Sequence, residues 1–333
     1  MDAVKIRLAL APMATISHEA FRRCVERFGG CDEYFSEMIH CPSLLHGGPF
    51  EYSYLLNKCA PDKMVWQLTS PDAESFCKAA KIVADRGGIG IDLNMGCSAP
   101  QIYKTGAGIA WMTKPLEEAR KAVAGVKKAL LEHEEEKGKH LRLSVKCRLG
   151  EADWTEEKFF AFTDMLHEEG VELVTLHART QKEKYRGLPD YTMVERLALR
   201  YPNMKVYLNG GVKDEESLTY AQSIAPHAEG IMIARAAVQK PWIFAQLTTP
   251  NLKGKRTLDA QELALTFIAD AEECLPKDFY KTRLQRFFSY YCTNFTFGHY
   301  FATQMLNAKD NNDARARIAD YFKKQPDDLF IKW

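Results

Sequence analysis

Residues Gly90–Cys97 read GIDLNMGC. Ile89, Ile91 and Leu93 place apolar side chains at alternate positions, which is the pattern of a buried strand. Asn94 ends the run with a side chain that both donates and accepts hydrogen bonds, and Gly96 lets the backbone come close to a ligand. Cys97 then opens a loop that continues through Pro100 to Gly106 and Gly108. A lone cysteine is usually a small buried hydrophobe. Cys97 differs because it stands at the exit of a strand, and the chain repeats that unit.

Outward from this stretch, short apolar runs alternate with longer amphipathic ones up to about Leu247. The runs Ile6–Ala11, Tyr34–Ser36, Met64–Leu68, Ile89–Leu93, Arg142–Cys147, Leu173–Leu176, Lys205–Leu208 and Gly230–Ile233 predict eight strands, the number that closes a (β/α)8 barrel. Helices are predicted at Ser17–Phe28, Asp72–Asp85, Leu116–Glu136, Thr155–Glu168 and Asp214–Ile224. Ser17, Thr155 and Asp214 act as N-caps ahead of a glutamate. A doubly wound open sheet is the alternative topology. Beyond Pro250 the strand signal fades and helices are predicted at Asp259–Cys274, Phe279–Phe295 and Ala314–Lys324. The expected architecture is therefore an α/β TIM barrel over residues 1–249 and a smaller all-helical domain over 250–333, joined by the polar, basic linker Asn251–Arg256.

Composition narrows the function classes. The 333 residues are 46% hydrophobic and 27% charged, as in a globular protein with a full-sized core. No apolar run approaches the roughly 18 residues of a membrane span, and Leu8–Met13 is too short for a signal-peptide core, so a cytoplasmic protein without a membrane partner is expected. Nine cysteines fall singly, with no CxxC pair, which argues against a disulfide framework and against a zinc site; no metal is expected. The net charge of +1 gives no global attraction to nucleic acid, so a polyanion would need a local basic patch.

The strand exits carry the chemistry, since a barrel works at the C-terminal ends of its strands. They read Pro12-Met13-Ala14, Gln67, Asn94 with Cys97, Lys146-Cys147-Arg148, His177-Ala178-Arg179, Asn209-Gly210-Gly211 and Ala234-Arg235. Taken singly, Gln67 or Asn209 is a turn amide, Lys146 and Arg148 are solvated edge positions, and His177 is a structural histidine. Jointly, polar groups gather at exits whose strand interiors are apolar. Gly210 and Gly211 free backbone N–H groups for an anion and Arg235 adds a fork of donors, so a phosphorylated ligand is implied at the last two exits. Gln67 and Lys146 face the polar edge of a planar cofactor, where a lysine's charge stabilises an anionic reduced flavin.

The motifs APMA (Ala11–Ala14), DLNMGC (Asp92–Cys97), Gly106 with Gly108, VKCR (Val145–Arg148), LHART (Leu176–Thr180), LNGG (Leu208–Gly211) and IMIARAAVQKPWIF (Ile231–Phe244) together resemble the tRNA-dihydrouridine synthases. They run in order from the first strand to the helix after the eighth. The resemblance implies an FMN-dependent reductase that uses NADPH to reduce the C5=C6 bond of selected uridines in tRNA. It places Pro12, Met13 and Ala14 along the flavin, Gln67 and Lys146 at its pyrimidine edge, His177 beside the flavin or the uracil, and Asn209, Gly210, Gly211, Ala234 and Arg235 at its phosphate. Cys97 matches the family's proton donor to C5, opposite the hydride delivered to C6. A thiol suits that role because it is mostly protonated at neutral pH yet gives up its proton readily. Asn94, Arg148 and Arg179 are expected at the uridine.

The sequence departs from the family pattern in three places. Ser98 follows the cysteine where proline is usual, the seventh strand ends NGG in place of NGD, and the eighth gives Ala234-Arg235 in place of Gly-Arg. The helical tail matches less well. Its Lys277, Lys281, Arg283 and Arg286 precede a run of aromatics from Phe287 to Phe297; charges beside rings suit RNA, and the rings equally suit a small core. Lys281, Arg283 and Arg286 are the expected tRNA contacts there, with Lys182, Lys184, Tyr185 and Arg186 as a second group. No protein partner is predicted. The rival functions are an FMN barrel reductase of a free pyrimidine, similar to dihydroorotate dehydrogenase, a lyase using Lys146 as a Schiff base, and a non-catalytic RNA-binding barrel.

Overall fold

A computed structural model describes residues 6–249 and 254–333. Eight parallel strands close on themselves: β1 (Arg7–Leu10), β2 (Glu33–Phe35), β3 (Met64–Thr69), β4 (Gly90–Met95), β5 (Arg142–Gly150), β6 (Leu173–Thr180), β7 (Lys205–Asn209) and β8 (Gly230–Ile233). Each pairs with the next, and β8 pairs with β1, so the open-sheet alternative is excluded. All eight predicted strands are present. β4, β5 and β6 run on through polar residues that the apolar pattern left outside them: Arg148 pairs with His177 and Gly150 with Thr180. A strand in a closed barrel keeps its ladder while its alternate side chains turn polar toward the axis.

That alternation fills the barrel in levels. At the N-terminal end Arg142 makes two hydrogen bonds to Glu33, at 3.0 and 2.7 Å, and the Tyr207 hydroxyl donates to the same carboxylate at 2.8 Å. Burial alone would raise Glu33; these donors hold it below its ordinary range. Gly90 and Gly230 make room for this plug, because a Cβ at either would stand 2.5 Å from Arg142 backbone or the Tyr207 ring. The next level is apolar, with Ala9, Phe35, Val65, Leu173 and Met232. Above it, toward the C-terminal mouth, the same faces of the strands present Asn94, Lys146 and Thr175 in register, with Gln67, Asp92 and Ser144 in register on the row below.

The surrounding helices include α1 (Glu19–Glu26), α2 (Ala73–Ala84), α3 (Leu116–Lys137), α4 (Glu156–Glu168), α5 (Tyr191–Arg200) and α6 (Glu215–Ile224). Thr155 and Asp214 cap α4 and α6 as predicted. The cap of α1 is His18 rather than Ser17, whose hydroxyl instead exchanges hydrogen bonds with Met13 backbone at 2.9 and 3.2 Å. Helix α5 has no counterpart among the predicted helices, although Asp190 caps it and Tyr191, Val194 and Leu197 form its buried face.

The C-terminal region holds α7 (Ala260–Cys274), α8 (Lys277–Tyr291), α9 (Gly298–Leu306) and α10 (Asn311–Lys324). Thr257–Asp259 and Phe330–Lys332 pair as a short antiparallel ribbon, a local exception to the all-helical expectation. The region docks on the barrel through α1. Arg27 grips the buried Asp270 with two hydrogen bonds of 2.5 and 2.7 Å, and Phe21 packs 6.2 Å from Phe287. Pro250 and the first three residues of the expected linker, with the 249/250 boundary, lie outside the described residues.

Candidate active site at the barrel mouth

The β4 exit carries the thiol. The Asn94 side-chain oxygen accepts from the amides of Gly96 at 3.3 Å and Cys97 at 3.0 Å, so the loop is pinned at the cysteine. Gly108, at φ +63°, lets the following turn approach; a Cβ there would lie 2.4 Å from the Cys97 carbonyl, which accepts from Ile109 at 3.0 Å. Cys97 is half-buried at the mouth, whereas its neighbour Cys147 faces outward into the core, where burial pushes its thiol up to about 12. Only the first of the two is placed to exchange a proton with a ligand.

Beneath Cys97 runs a chain of buried polar groups. Ser144 Oγ donates to Asp92 at 2.8 Å, Gln67 Nε2 donates to the other Asp92 oxygen at 2.7 Å, and Asn94 Nδ2 donates to Gln67 Oε1 at 2.9 Å. Burial raises Asp92 to about 6 against the pull of its two donors. It is therefore ionised at neutral pH. Asn94 engages both ends of its amide within the protein, one N–H on Gln67 and its oxygen on Gly96 and Cys97. Asp92 and Ser144 carry no signal of their own in the sequence, though each stands two residues before a predicted site residue on the same strand face.

Around the other half of the mouth, positive charge collects. Lys146 is partly buried, in register with Asn94 and Thr175, and is lowered to about 8 by burial and then by Arg148. Among the described residues its ammonium has no hydrogen-bonding partner. His177 is lowered to about 2, by burial and then by Lys146, Arg148, Arg179 and Arg235, so the ring is neutral at any working pH. Arg179 Nη1 lies 2.8 Å from His177 Nε2. Since arginine only donates, the ring proton sits on Nδ1. The Thr175 hydroxyl, fully buried beside Lys146 in the ladder, has no partner among the described residues.

Arg148 and Arg179 also organise a loop. Arg148 donates to the carbonyls of Thr180 and Lys184, both at 3.2 Å, and Arg179 to those of Arg186, at 3.2 Å, and Gly187. These bonds fold residues 181–187 back over the mouth, where Tyr185 lies 4.7 Å from the Arg235 guanidinium and 6.1 Å from the His177 ring. Next to it, Gly210 and Gly211 have φ of +102° and +84°; a Cβ on either would run into His177 at 2.9 Å or the Tyr191 hydroxyl at 2.1 Å. Asn209 donates to Met232 O at 2.8 Å, and Ala234 leads into the turn bearing the exposed Arg235.

The first exit brings Pro12, Met13 and Ala14 to the rim, with Met13 against the apolar lumen. Thr15 follows at φ +66° and donates its amide to Glu37, which lies at the exit of β2 and carries no motif in the sequence. Burial raises Glu37 to about 7, and Arg283 opposes that rise. Arg283 is a correction to the expected RNA face. It is buried, stacks 3.8 Å above Phe279, donates to Tyr54 Oη at 3.3 Å and stands 4.0 Å from Glu37. Its helix turns it inward toward the barrel, while Lys281 and Arg286 stay exposed.

The mouth thus joins a half-buried thiol, a neutral imidazole, an unpartnered ammonium and a glycine-lined rim beside Arg235. Such a set accepts a planar polar ligand with an anionic tail. Among the described residues no group of three or more His, Cys, Asp or Glu side chains is placed to hold a metal ion, and no helix is long and apolar enough to cross a membrane.

Comparison with known proteins gives the same region a lineage. The profile of the family described as dihydrouridine synthase (Dus) matches residues 9–326. A probable tRNA-dihydrouridine synthase of Rhodobacter capsulatus is 33% identical over 245 residues, covering 72% of this chain and 69% of that protein. One from Aquifex aeolicus is 29% identical over 249 residues, covering 74% of each. A human protein named tRNA-dihydrouridine(47) synthase [NAD(P)(+)]-like is 29% identical over 245 residues, covering 73% of this chain. The chain spans little more than a third of the length of that human relative, 36%.

Proposed function

The chain belongs to the dihydrouridine synthase family, and from that premise we propose that it reduces the C5=C6 bond of uridines in tRNA with FMN as cofactor and NADPH as electron donor. The observation that carries this reading is the unpartnered Lys146 ammonium, gathered with Arg148, Arg179 and Arg235 around His177, on the strand next to the one that ends in the half-buried Cys97. So much uncompensated positive charge around a neutral histidine calls for an anionic ligand.

FMN fits the residues present. Asn209, Gly210, Gly211, Ala234 and Arg235 form the rim for its phosphate, with Gly210 and Gly211 at positive φ, where a side chain would collide with His177 or Tyr191. Gln67, Lys146 and His177 supply polar groups for its pyrimidine edge, and Pro12, Met13 and Ala14 an apolar border. When bound and reduced by NADPH, FMN supplies the hydride that uracil C6 takes up. Cys97 Sγ holds the proton that C5 receives, so that hydride and proton together saturate the double bond. Asn94 keeps the Cys97 loop in place. Lys146, charged at neutral pH, offsets negative charge developing on the pyrimidine. Arg148 and Arg179 hold residues 181–187 over the mouth and exclude water from it. The division into a catalytic unit, 1–249, and a tRNA-docking helical unit, 250–333, belongs to the same proposal, with Lys281 and Arg286 on the docking face and a cytoplasmic tRNA as the partner.

The test is the visible spectrum of the purified protein under anaerobic conditions. Flavin bands that bleach with NADPH and return on adding unmodified tRNA are the expected result. A bleach reversed by a free pyrimidine and not by tRNA would favour a small-molecule reductase. A protein that is colourless and takes up no FMN would sink the proposal.

A further inference from the structure

The buried chain below Cys97 has a direction, and the direction has one origin. An ionised carboxylate only accepts hydrogen bonds, whereas an amide side chain offers a donor at one end and an acceptor at the other. Asp92, ionised at neutral pH, therefore draws the NH2 end of Gln67 toward itself at 2.7 Å. That leaves the Gln67 oxygen facing Asn94, whose NH2 end donates to it at 2.9 Å. Asn94 is then turned so that its oxygen meets the amides of Gly96 and Cys97, at 3.3 and 3.0 Å. Were Gln67 reversed, its oxygen would oppose Asp92 and its NH2 would oppose that of Asn94. Ser144, a donor at 2.8 Å, completes the demand on Asp92 from the other side. All four side chains are buried, so water cannot replace a lost partner cheaply.

We propose that Asp92 is a positioning residue: by accepting from Ser144 and Gln67 it sets the orientation of the Gln67 and Asn94 amides and, through Asn94, holds the Cys97 loop at the barrel mouth. Nothing about Asp92 requires that it touch a ligand. Its effect on the ligand passes through Gln67, whose remaining N–H is the only donor it has left to offer, so a partner there must present an acceptor such as a ring carbonyl. This part rests on the flavin reading; the hold on Cys97 does not.

The two parts separate in one experiment on the full chain. Alkylation of Cys97 by iodoacetamide, followed by peptide mass mapping without cofactor, reports how firmly the loop is held. Asp92→Asn removes the origin of the order and is expected to raise the Cys97 rate by about threefold to tenfold, the effect of losing a buried hydrogen bond. The double exchange Asp92→Asn with Asn94→Asp moves the acceptor-only group to the mouth end: position 92 then donates to Gln67 and Gln67 to position 94, both links reversed, while the Gly96 and Cys97 amides and the Ser144 hydroxyl donate as before. It is expected to bring the Cys97 rate back to near the wild-type value while FMN affinity stays lowered, because the free N–H of Gln67 then lies on the other side. A passive role for Asp92 as buried filling would not produce that rescue. A Cys97 rate unchanged in folded Asp92→Asn, or not restored in the double exchange, overturns the proposal. If Asp92→Asn does not fold, Gln67→Met breaks the same chain at its middle link. A rise in the Cys97 rate there supports the relay and an unchanged rate refutes it. Absence of FMN binding by the wild-type chain would refute the flavin reading and leave the alkylation result to decide the relay.

Discussion

The barrel mouth and the C-terminal helices treat positive charge in opposite ways. At the mouth, Lys146 has no protein partner among the described residues, and Arg148, Arg179 and Arg235 converge on a histidine that is forced neutral. In the helical region Arg283 is buried against Phe279 and faces Glu37, and Arg315 closes on Glu272 with bonds of 2.9 and 2.5 Å. The aromatics divide in the same manner. Tyr185 stands over the mouth 62% exposed, whereas Phe287, Phe288, Tyr291 and Phe301 pack on one another as core. The difference teaches that a basic residue beside an aromatic marks a binding site only where the fold supplies no anion of its own.

Predictions that would break this comparison begin with the aromatic core. Phe287 is fully buried, stacked at 3.8 Å on Phe267 and packed against Phe21 of α1. Phe287→Ala is expected to cost about 3–5 kcal/mol, as large-to-small changes in a filled core do. Chemical denaturation would measure it; a loss below about 1 kcal/mol would mean that this ring is available for RNA after all. Next in size is the thiol. Cys97→Ala is expected to slow uridine reduction by about 10²-fold or more, the contribution of a general acid, while FMN stays bound and NADPH still bleaches it. Stopped-flow measurement of the two half-reactions separates these effects, and turnover at the wild-type rate would remove Cys97 from the chemistry.

The two regions are also unequally legible in the sequence. The barrel can be read because its strands are apolar runs closed by polar exits, and the parity of a strand carries Gln67, Asn94 and Lys146 to its inner face, the last two in register, without further information. What escapes is the next pair down: Asp92 and Ser144 look like ordinary strand residues until the closed barrel makes their face the inside. Glu37 escapes because β2 is short and its exit lies beside a helical region whose docking no spacing encodes. Arg283 is misplaced for the same reason. Its helix has aromatic residues on several faces, so periodicity alone does not say which face meets the barrel, and the Arg27–Asp270 pair that fixes the docking joins residues far apart in sequence.

A smaller effect tests the charge at the mouth directly. Burial, and then Arg148, lower Lys146 to about 8, and an anion binds best while the ammonium is protonated. The affinity for FMN should therefore hold steady below pH 7 and fall as pH rises through 8, by up to about tenfold for each unit above it, the limit for one linked proton. Lys146→Met should bind more weakly at neutral pH and lose that slope. Fluorescence titration from about pH 6.5 to 9.5 spans that range on both sides, and an identical slope in the variant would assign the titration to another group.

The smallest effect expected is on the exposed side of the helical region, and it bears most directly on whether the two regions share one substrate. Lys281 and Arg286 remain exposed on α8 after Arg283 has turned inward, and Lys281 also lines a cavity of about 380 Å³ with Lys277 and Lys309. Such residues act by releasing counterions from phosphate, so each contributes little and does so mainly at low salt. Lys281→Ala with Arg286→Ala should weaken tRNA binding by about threefold to tenfold at low salt and flatten the dependence of log affinity on log salt by roughly one to two, about one for each phosphate that is no longer neutralised. FMN affinity should not change, because neither residue approaches the mouth. A normal salt slope in the double variant would move the docking face elsewhere, and the 181–187 loop, with Lys182 and Lys184 beside the chemistry, would become the place where the polyanion is held.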